Sequence, residues 1–267
     1  MKTIAVDWSG AKAREGAAGI AVAVVTDGRL SDLVSDIGRS DAIQRVIDEA
    51  AGGDLIAGFD FSFSLPAWFL EERGLAEAPD LWDLAAVEGE DWLSRCEPPF
   101  WGRAGTRKPT GDAGRAQLRE TDTLTISESG VGPRQARSPF QVSGAGSVGA
   151  STVRGLPHLR SLRDAGFSIW PWDDAKAPVA IEIWTRLALG DTVKSDPAAR
   201  AAAVQAERRI PERLADRAVS SEDCFDATLS ALWLWDHSES ILAGRRLSRP
   251  ADRLEGRTWI PTPADKA

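Results

Sequence analysis

Residues 3–8 read TIAVDW, residues 17–26 read AAGIAVAVVT, and residues 29–37 read RLSDLVSDI. These runs decide the fold. The first is a short apolar run interrupted by Asp7. The second is β-branched and bounded by Gly16 and by Asp27-Gly28. Asp-Gly between two such runs signals a hairpin, because its tight turn needs positive φ at both central residues. The chain is therefore expected to open as a three-stranded antiparallel meander. Ser40 is expected to cap a helix with Ile43, Val46, Ile47 and Ala50 at helical spacing, stopped by Gly52-Gly53. Residues 54–59 (DLIAGF) form a fourth strand running into Asp60. It follows a helix, so parallel pairing with the first strand is the natural crossover.

Outward from this start the pattern loosens. Residues 66–97 hold helical pieces with many acids. Residues 97–155 are rich in Gly, Pro, Ser and Arg and read as loop-dominated. Residues 156–165 read as a helix with Leu159 and Leu162 on one face. Residues 167–172 (FSIWPW) and 178–184 (PVAIEIW) are strand candidates, the second carrying Glu182. Residues 197–209 form an alanine-rich helix, and 222–237 the clearest long helix. From Arg249 the chain reads as an extended closing segment. The expected class is α/β: a mixed sheet of antiparallel then parallel strands, flanked by helices. We expect one domain over 1–267, with a loop-rich insertion at 61–165 that is basic and rich in Gly and Ser over 101–165.

The chain has 267 residues and is 43% hydrophobic, enough for a core. It carries 40 acids against 32 Lys and Arg, a net charge of −8. No run is long and apolar enough for a membrane span, and residues 1–10 carry no signal-peptide pattern. Cys96 and Cys224 are too few for a disulfide framework or a thiolate zinc site, so a reducing cytoplasm is expected. The net charge argues against generic binding to a phosphate backbone. Residues 101–165, however, hold ten basic and five acidic side chains, leaving −13 for the remainder. That asymmetry points to a phosphate-bearing partner, the other reading being solvated arginine-rich loops.

Four acids interrupt apolar elements. Asp7 and Asp60 end the first and fourth strands, Glu182 lies between Ile181 and Ile183, and Asp226 sits inside the long helix. An ionised carboxylate in such a place needs a partner, a cation or a water-filled cleft. If the first and fourth strands pair in parallel, Asp7 and Asp60 meet at the carboxyl edge of the sheet, where ligands bind in open α/β sheets. Converging carboxylates repel unless a cation joins them, and oxygen-only ligands favour Mg²⁺ or Mn²⁺. Each acid has a plainer reading. Asp7 and Asp60 also suit turn starts, Glu182 suits the solvent face of an edge strand, and Asp223 completes a capping box with Ser220. Capping does not explain Asp226, which shares a face with Glu222 and Asp223.

Several segments in order resemble one family: VDWSG around Asp7, GFDFSFS around Asp60, SPFQVSGAGSVGASTVRGLPHL at 138–159, FSIWPWD, IEIWTRLALG around Glu182, and EDCFDATLSALWLW. The chain resembles the DUF429 proteins, predicted nucleases with an RNase H-like fold. It departs from them at Trp184-Thr185, where an aromatic or His followed by Pro is usual, and over 101–137. The resemblance implies an RNase H-like core and two-metal phosphodiester hydrolysis with Mg²⁺ or Mn²⁺. It assigns Asp7, Asp60 and Asp226 as catalytic and metal-holding, with Glu182 as a further catalytic acid and Asp223 as a further metal ligand. A nucleic acid is the implied partner. The basic segment then supplies backbone contacts, from Arg103, Arg107, Lys108, Arg115 and Arg119, with Lys194 near a phosphate and Trp101 as a stacking platform.

Two other classes stay open. The actin-like and sugar-kinase phosphotransferases also begin with an Asp-bearing strand turn and use a glycine-rich phosphate loop. Asp7-Trp8-Ser9-Gly10 and Gly144-Ala145-Gly146-Ser147-Val148-Gly149 admit that reading, although the second lacks P-loop and dinucleotide fingerprints. A non-catalytic binding scaffold on the same fold is the third class.

Overall fold

The computed structural model describes residues 1–12, 19–110, 115–130, 136–144, 146–244, 247 and 249–261. The chain opens with β1 (Lys2–Asp7), β2 (Ile20–Thr26) and β3 (Arg29–Ile37), paired antiparallel in sequence order. Residues 17 and 18 of the expected second strand lie outside the described residues. Asp27 and Gly28 have φ of 49° and 75°, the double positive φ of a tight hairpin turn. α1 (Arg39–Ala50) follows and buries Ala42, Ile43 and Val46. Its N-cap is Gly38, with no side-chain cap bond, and Ser40 already lies inside the helix. β4 (Leu55–Phe59) then pairs parallel with β1, Val6 opposite Phe59.

The connection after β4 contains α2 (Ala67–Glu71), α3 (Ala78–Arg95), α4 (Glu120–Ser129) and α5 (Gly149–Asp164). More of it is regular than expected. α4 (ETDTLTISES) is polar and has no apolar stripe, so its periodicity was unreadable. α5 begins seven residues before the expected start. Its first turns are small residues because they pack tightly: a Cβ on Gly149 would lie 2.6 Å from the Gln141 carbonyl oxygen, and one on Gly155 2.5 Å from the Phe61 ring.

β5 (Ser168–Ile169) and β6 (Val179–Glu182) complete a six-stranded sheet in the order β3-β2-β1-β4-β6-β5. β6 runs parallel to both β4 and β5. The remaining helices are α6 (Thr185–Leu189), α7 (Pro197–Ala206), α8 (Glu212–Ser220), α9 (Glu222–Asp236), α10 (Ser238–Ala243) and α11 (Pro250–Glu255). The cap of α9 is Ser221, whose side chain accepts from the Cys224 N–H at 3.0 Å; Ser220 belongs to α8. The closing segment is helical over α11 before it extends, and the Trp259 N–H then donates to the Glu182 carbonyl at 2.8 Å.

Strand alternation divides the core in two. Ile4, Val6, Ala57, Phe59 and Ala180 join the layer containing α1, α3 and α5. Ala5, Ile56, Ile181 and Ile183 join the layer containing α7, α8 and α9. Close contact with α9 requires Gly58, where a Cβ would stand 2.8 Å from Leu234. Among the described residues no helix is long and apolar enough to cross a membrane.

Candidate active site at the carboxyl edge of the sheet

Asp7 is the last residue of β1 and Asp60 immediately follows β4. The register Val6↔Phe59 brings these two carboxylates to neighbouring positions at the carboxyl edge. Both alternate toward the α9 layer, because Val6 and Phe59 face the other way. α9 lies across β1, tied there by the Thr3 hydroxyl, which donates to the Ala231 carbonyl at 2.8 Å. This docking delivers Asp226, one turn into the helix and only 1% exposed. Asp7, Asp60, Asp223 and Asp226 line one cavity of about 630 Å³.

The electrostatics of this group are unfavourable as they stand. Burial pushes the Asp7 carboxyl well above the usual carboxylate range, and the charges of Asp60, Asp226 and Asp223 push it further; Lys194 acts against them. Burial raises Asp60 to about 7, although the Trp8 N–H, donating to its Oδ1 at 2.6 Å, opposes the shift. Burial also raises Asp226, opposed by Lys194 and more weakly by the Thr185 hydroxyl. Lys194 donates to Asp226 Oδ2 and lies 3.9 Å from Glu222. The other oxygen of Asp226, Oδ1, is buried without a hydrogen-bond partner. Such an atom keeps its full desolvation cost.

Glu182 lines the same cavity, as does Asp122, but its carboxylate is turned away from the three aspartates and held by the protein, unlike the open catalytic acid expected. It pairs with Phe59, and its flanking residues Ile181 and Ile183 face the α9 layer, so its side chain points to the opposite face. There it is 1% exposed, and each oxygen accepts twice. Oε1 takes Arg119 Nη2 at 2.5 Å and the Thr258 hydroxyl at 2.6 Å. Oε2 takes Arg119 Nη1 at 2.8 Å and the Phe63 N–H at 2.9 Å. A carboxylate so occupied has no lone pair to offer a metal or a proton in transit.

Arg119 is corrected for the same reason. It is 1% exposed and held by Asp122 at 2.6 and 3.0 Å as well as by Glu182, so it cannot grip an external phosphate backbone. Arg115 is exposed, pairs with Glu72 at 2.5 Å and lies over the Trp68 ring. Arg103, Arg107 and Lys108 are exposed but do not line the cavity. Trp101 donates through Nε1 to Gln117 at 2.9 Å and is partly buried, so its ring packs within the fold. Lys194 does line the cavity. The expected glycine-rich stretch also reaches it through Gly146, Ser147 and Val148, whereas Ala145 lies outside the described residues. Two further cavity residues, Arg137 and Arg186, are not among the expected phosphate contacts. Arg137 belongs to the basic stretch, whereas nothing in the local sequence marks Arg186.

The donor chemistry fits a hard divalent cation. All candidate ligands are carboxylate oxygens, and Asp226, which lines the cavity, carries an orphaned buried acceptor in Oδ1. Yet among the described residues no group of three or more His, Cys, Asp or Glu is arranged to hold a metal ion. Lys194 supplies the positive charge on Asp226 instead, so a cation must approach through Oδ1 or displace the ammonium. Compared with known proteins, the chain matches no family model, no curated protein and no solved structure, so the functional reading rests on the residues and the geometry just described.

Proposed function

We propose that the chain is a divalent-metal-dependent phosphodiester hydrolase on an RNase H-like fold, as its resemblance to the DUF429 proteins implies. One observation carries this reading. Three mutually repelling carboxylates, Asp7, Asp60 and Asp226, are delivered by three different elements to one open cavity, and one buried oxygen among them lacks a partner. Burying such a group weakens the fold unless a cation arrives. The strand order and the mixed sheet are compatible with the proposed fold. Both cysteines are free and buried, compatible with the proposed cytoplasmic setting.

Mg²⁺ or Mn²⁺ at these residues would supply charge neutralisation and an activated water for attack on phosphorus. The residues themselves set the geometry. The Trp8 N–H fixes the orientation of Asp60. The rigid pairing of β1 with β4 fixes the separation of Asp7 from Asp60, and the docking of α9 sets the height of Asp226 above them. Lys194 balances the charge of Asp226 and is the group that a bound cation would have to displace from Oδ2.

A Mn²⁺ titration followed by thermal unfolding tests the reading on wild type and on Asp7→Asn. We expect a metal-dependent rise in Tm in wild type and its loss in the variant. No rise in wild type sinks the metal site. A phosphotransferase is the second reading, supported by the glycine-rich residues Gly146, Ser147 and Val148 at the cavity wall. Protection against heating by adenosine nucleotides, with no cleavage of any DNA or RNA form, would favour it.

A further inference from the structure

Among the described basic residues of the stretch 101–165, Arg137 alone lines the cavity with the carboxylates, and Arg186 joins it from outside that stretch. Arg137 reaches the cavity from the connection between β4 and β5, and Arg186 reaches it from α6. Arg137 is exposed and Arg186 half-buried. Neither forms an ion pair with any described residue, whereas Arg115, Arg119, Arg154, Arg160 and Arg163 are all paired. Arg137 is also seated. Its Nε would lie 3.0 Å from a Cβ on Gly146, which has φ of +68°, so the missing side chain lets the guanidinium lie on the loop. Two guanidinium groups that line the same cavity as the carboxylates, with no ion-pair partner among the described residues, are suited to the non-bridging oxygens of a phosphate.

The size of the site narrows what that phosphate belongs to. A cavity of about 630 Å³ falls in the range of small-ligand pockets. It is large enough to enclose a nucleotide unit, whereas a duplex is too wide to enter and meets only its mouth. We propose that Arg137 and Arg186 form the phosphate-holding subsite of this cavity, and that the substrate is a phosphodiester of nucleotide size, either a free dinucleoside monophosphate or the end of a single strand. The proposal rests on the phosphodiesterase reading above and sharpens its substrate class. Arg103, Arg107 and Lys108 then contribute nothing at the reacting phosphate.

Calorimetric titrations with a dinucleoside monophosphate, a short single-stranded oligonucleotide and the matching duplex, each with Mn²⁺ present, test it. Wild type should bind the first two and bind the duplex at least about tenfold more weakly. Arg137→Ala and Arg186→Ala should each lose about tenfold or more in affinity, the scale of a lost charge-assisted contact. Both should keep the wild-type Tm and its rise with Mn²⁺. Arg107→Ala should bind as wild type does. A dominant dinucleoside signal identifies a small-molecule substrate; a dominant single-strand signal identifies a nucleic-acid end. Unchanged affinity in both arginine variants, absence of binding to wild type, or duplex binding as tight as single-strand binding overturns the proposal. If arginine-dependent binding persists where Mn²⁺ gives no shift, the subsite stands and the metal reading falls.

Discussion

Two groups of buried acids line one cavity at the carboxyl edge of this sheet, one reaching it from each face. On the α9 face, Asp7, Asp60 and Asp226 crowd together with Lys194 as their cation, and Asp226 Oδ1 is unsatisfied. On the other face, Glu182 and Asp122 are bound to one buried arginine, and every oxygen of Glu182 accepts two bonds. Burial opposes the charge on Arg119, but these two acids overcome it and hold its pKa well above the ordinary value. Burial alone therefore does not mark a functional acid. What separates the two groups is whether the protein already supplies the partners. The saturated group ties α4 and the closing segment to the sheet, while the other group leaves Asp226 Oδ1 without a partner.

Breaking the saturated group should have the largest effect. Arg119→Met leaves Glu182 and Asp122 buried without their cation and should cost about 3–5 kcal/mol in urea unfolding. A loss below about 1 kcal/mol would show that the two groups do not differ as described. In the unsatisfied group the sign should reverse. Asp7→Asn removes a repelled charge, so the metal-free protein at neutral pH should gain roughly 1–2 kcal/mol while losing its response to Mn²⁺.

The pH dependence sharpens the same contrast. Asp60 titrates near 7 in the folded chain, and an unfolded Asp near about 4. Between those values the folded chain holds a proton that the unfolded chain has released. The Asp60 contribution therefore lowers stability as pH rises through that window and levels off above it. Subtracting the profile of Asp60→Asn from that of wild type should expose this downward slope without metal. A flat or rising difference would refute the placement of Asp60. The smallest effect belongs to the exposed pair of Arg115 with Glu72, where Arg115→Ala should change stability by about 1 kcal/mol or less.

Much of the framework was legible. The Asp27-Gly28 turn, the β-branched second strand and the helix before β4 act through nearby residues, so local pattern sufficed to order the first four strands. The positions of Asp7 and Asp60 followed, because parallel pairing places both strand ends at one edge. α4 was not legible, since a polar helix held by Asp122 and by the Glu255 carboxylate, which accepts from the Thr121 N–H, has no apolar period. The boundary between Ser220 and Ser221 also escaped, two adjacent serines being equivalent caps until α8 ends.

The sequence by itself determined the antiparallel opening, the parallel crossover and the presence of acids at strand ends, because periods of two and 3.6 residues and turn chemistry are short-range properties. Only the tertiary structure decided which acids are free. Glu182 and Asp60 look alike in sequence, each within or beside an apolar strand. Their difference is a guanidinium 63 residues away from Glu182 that fills its oxygens, and a helix that brings Asp226 beside Asp60. Partner supply is a long-range property, set by packing, and it separates the structural carboxylate from the one left open to a ligand.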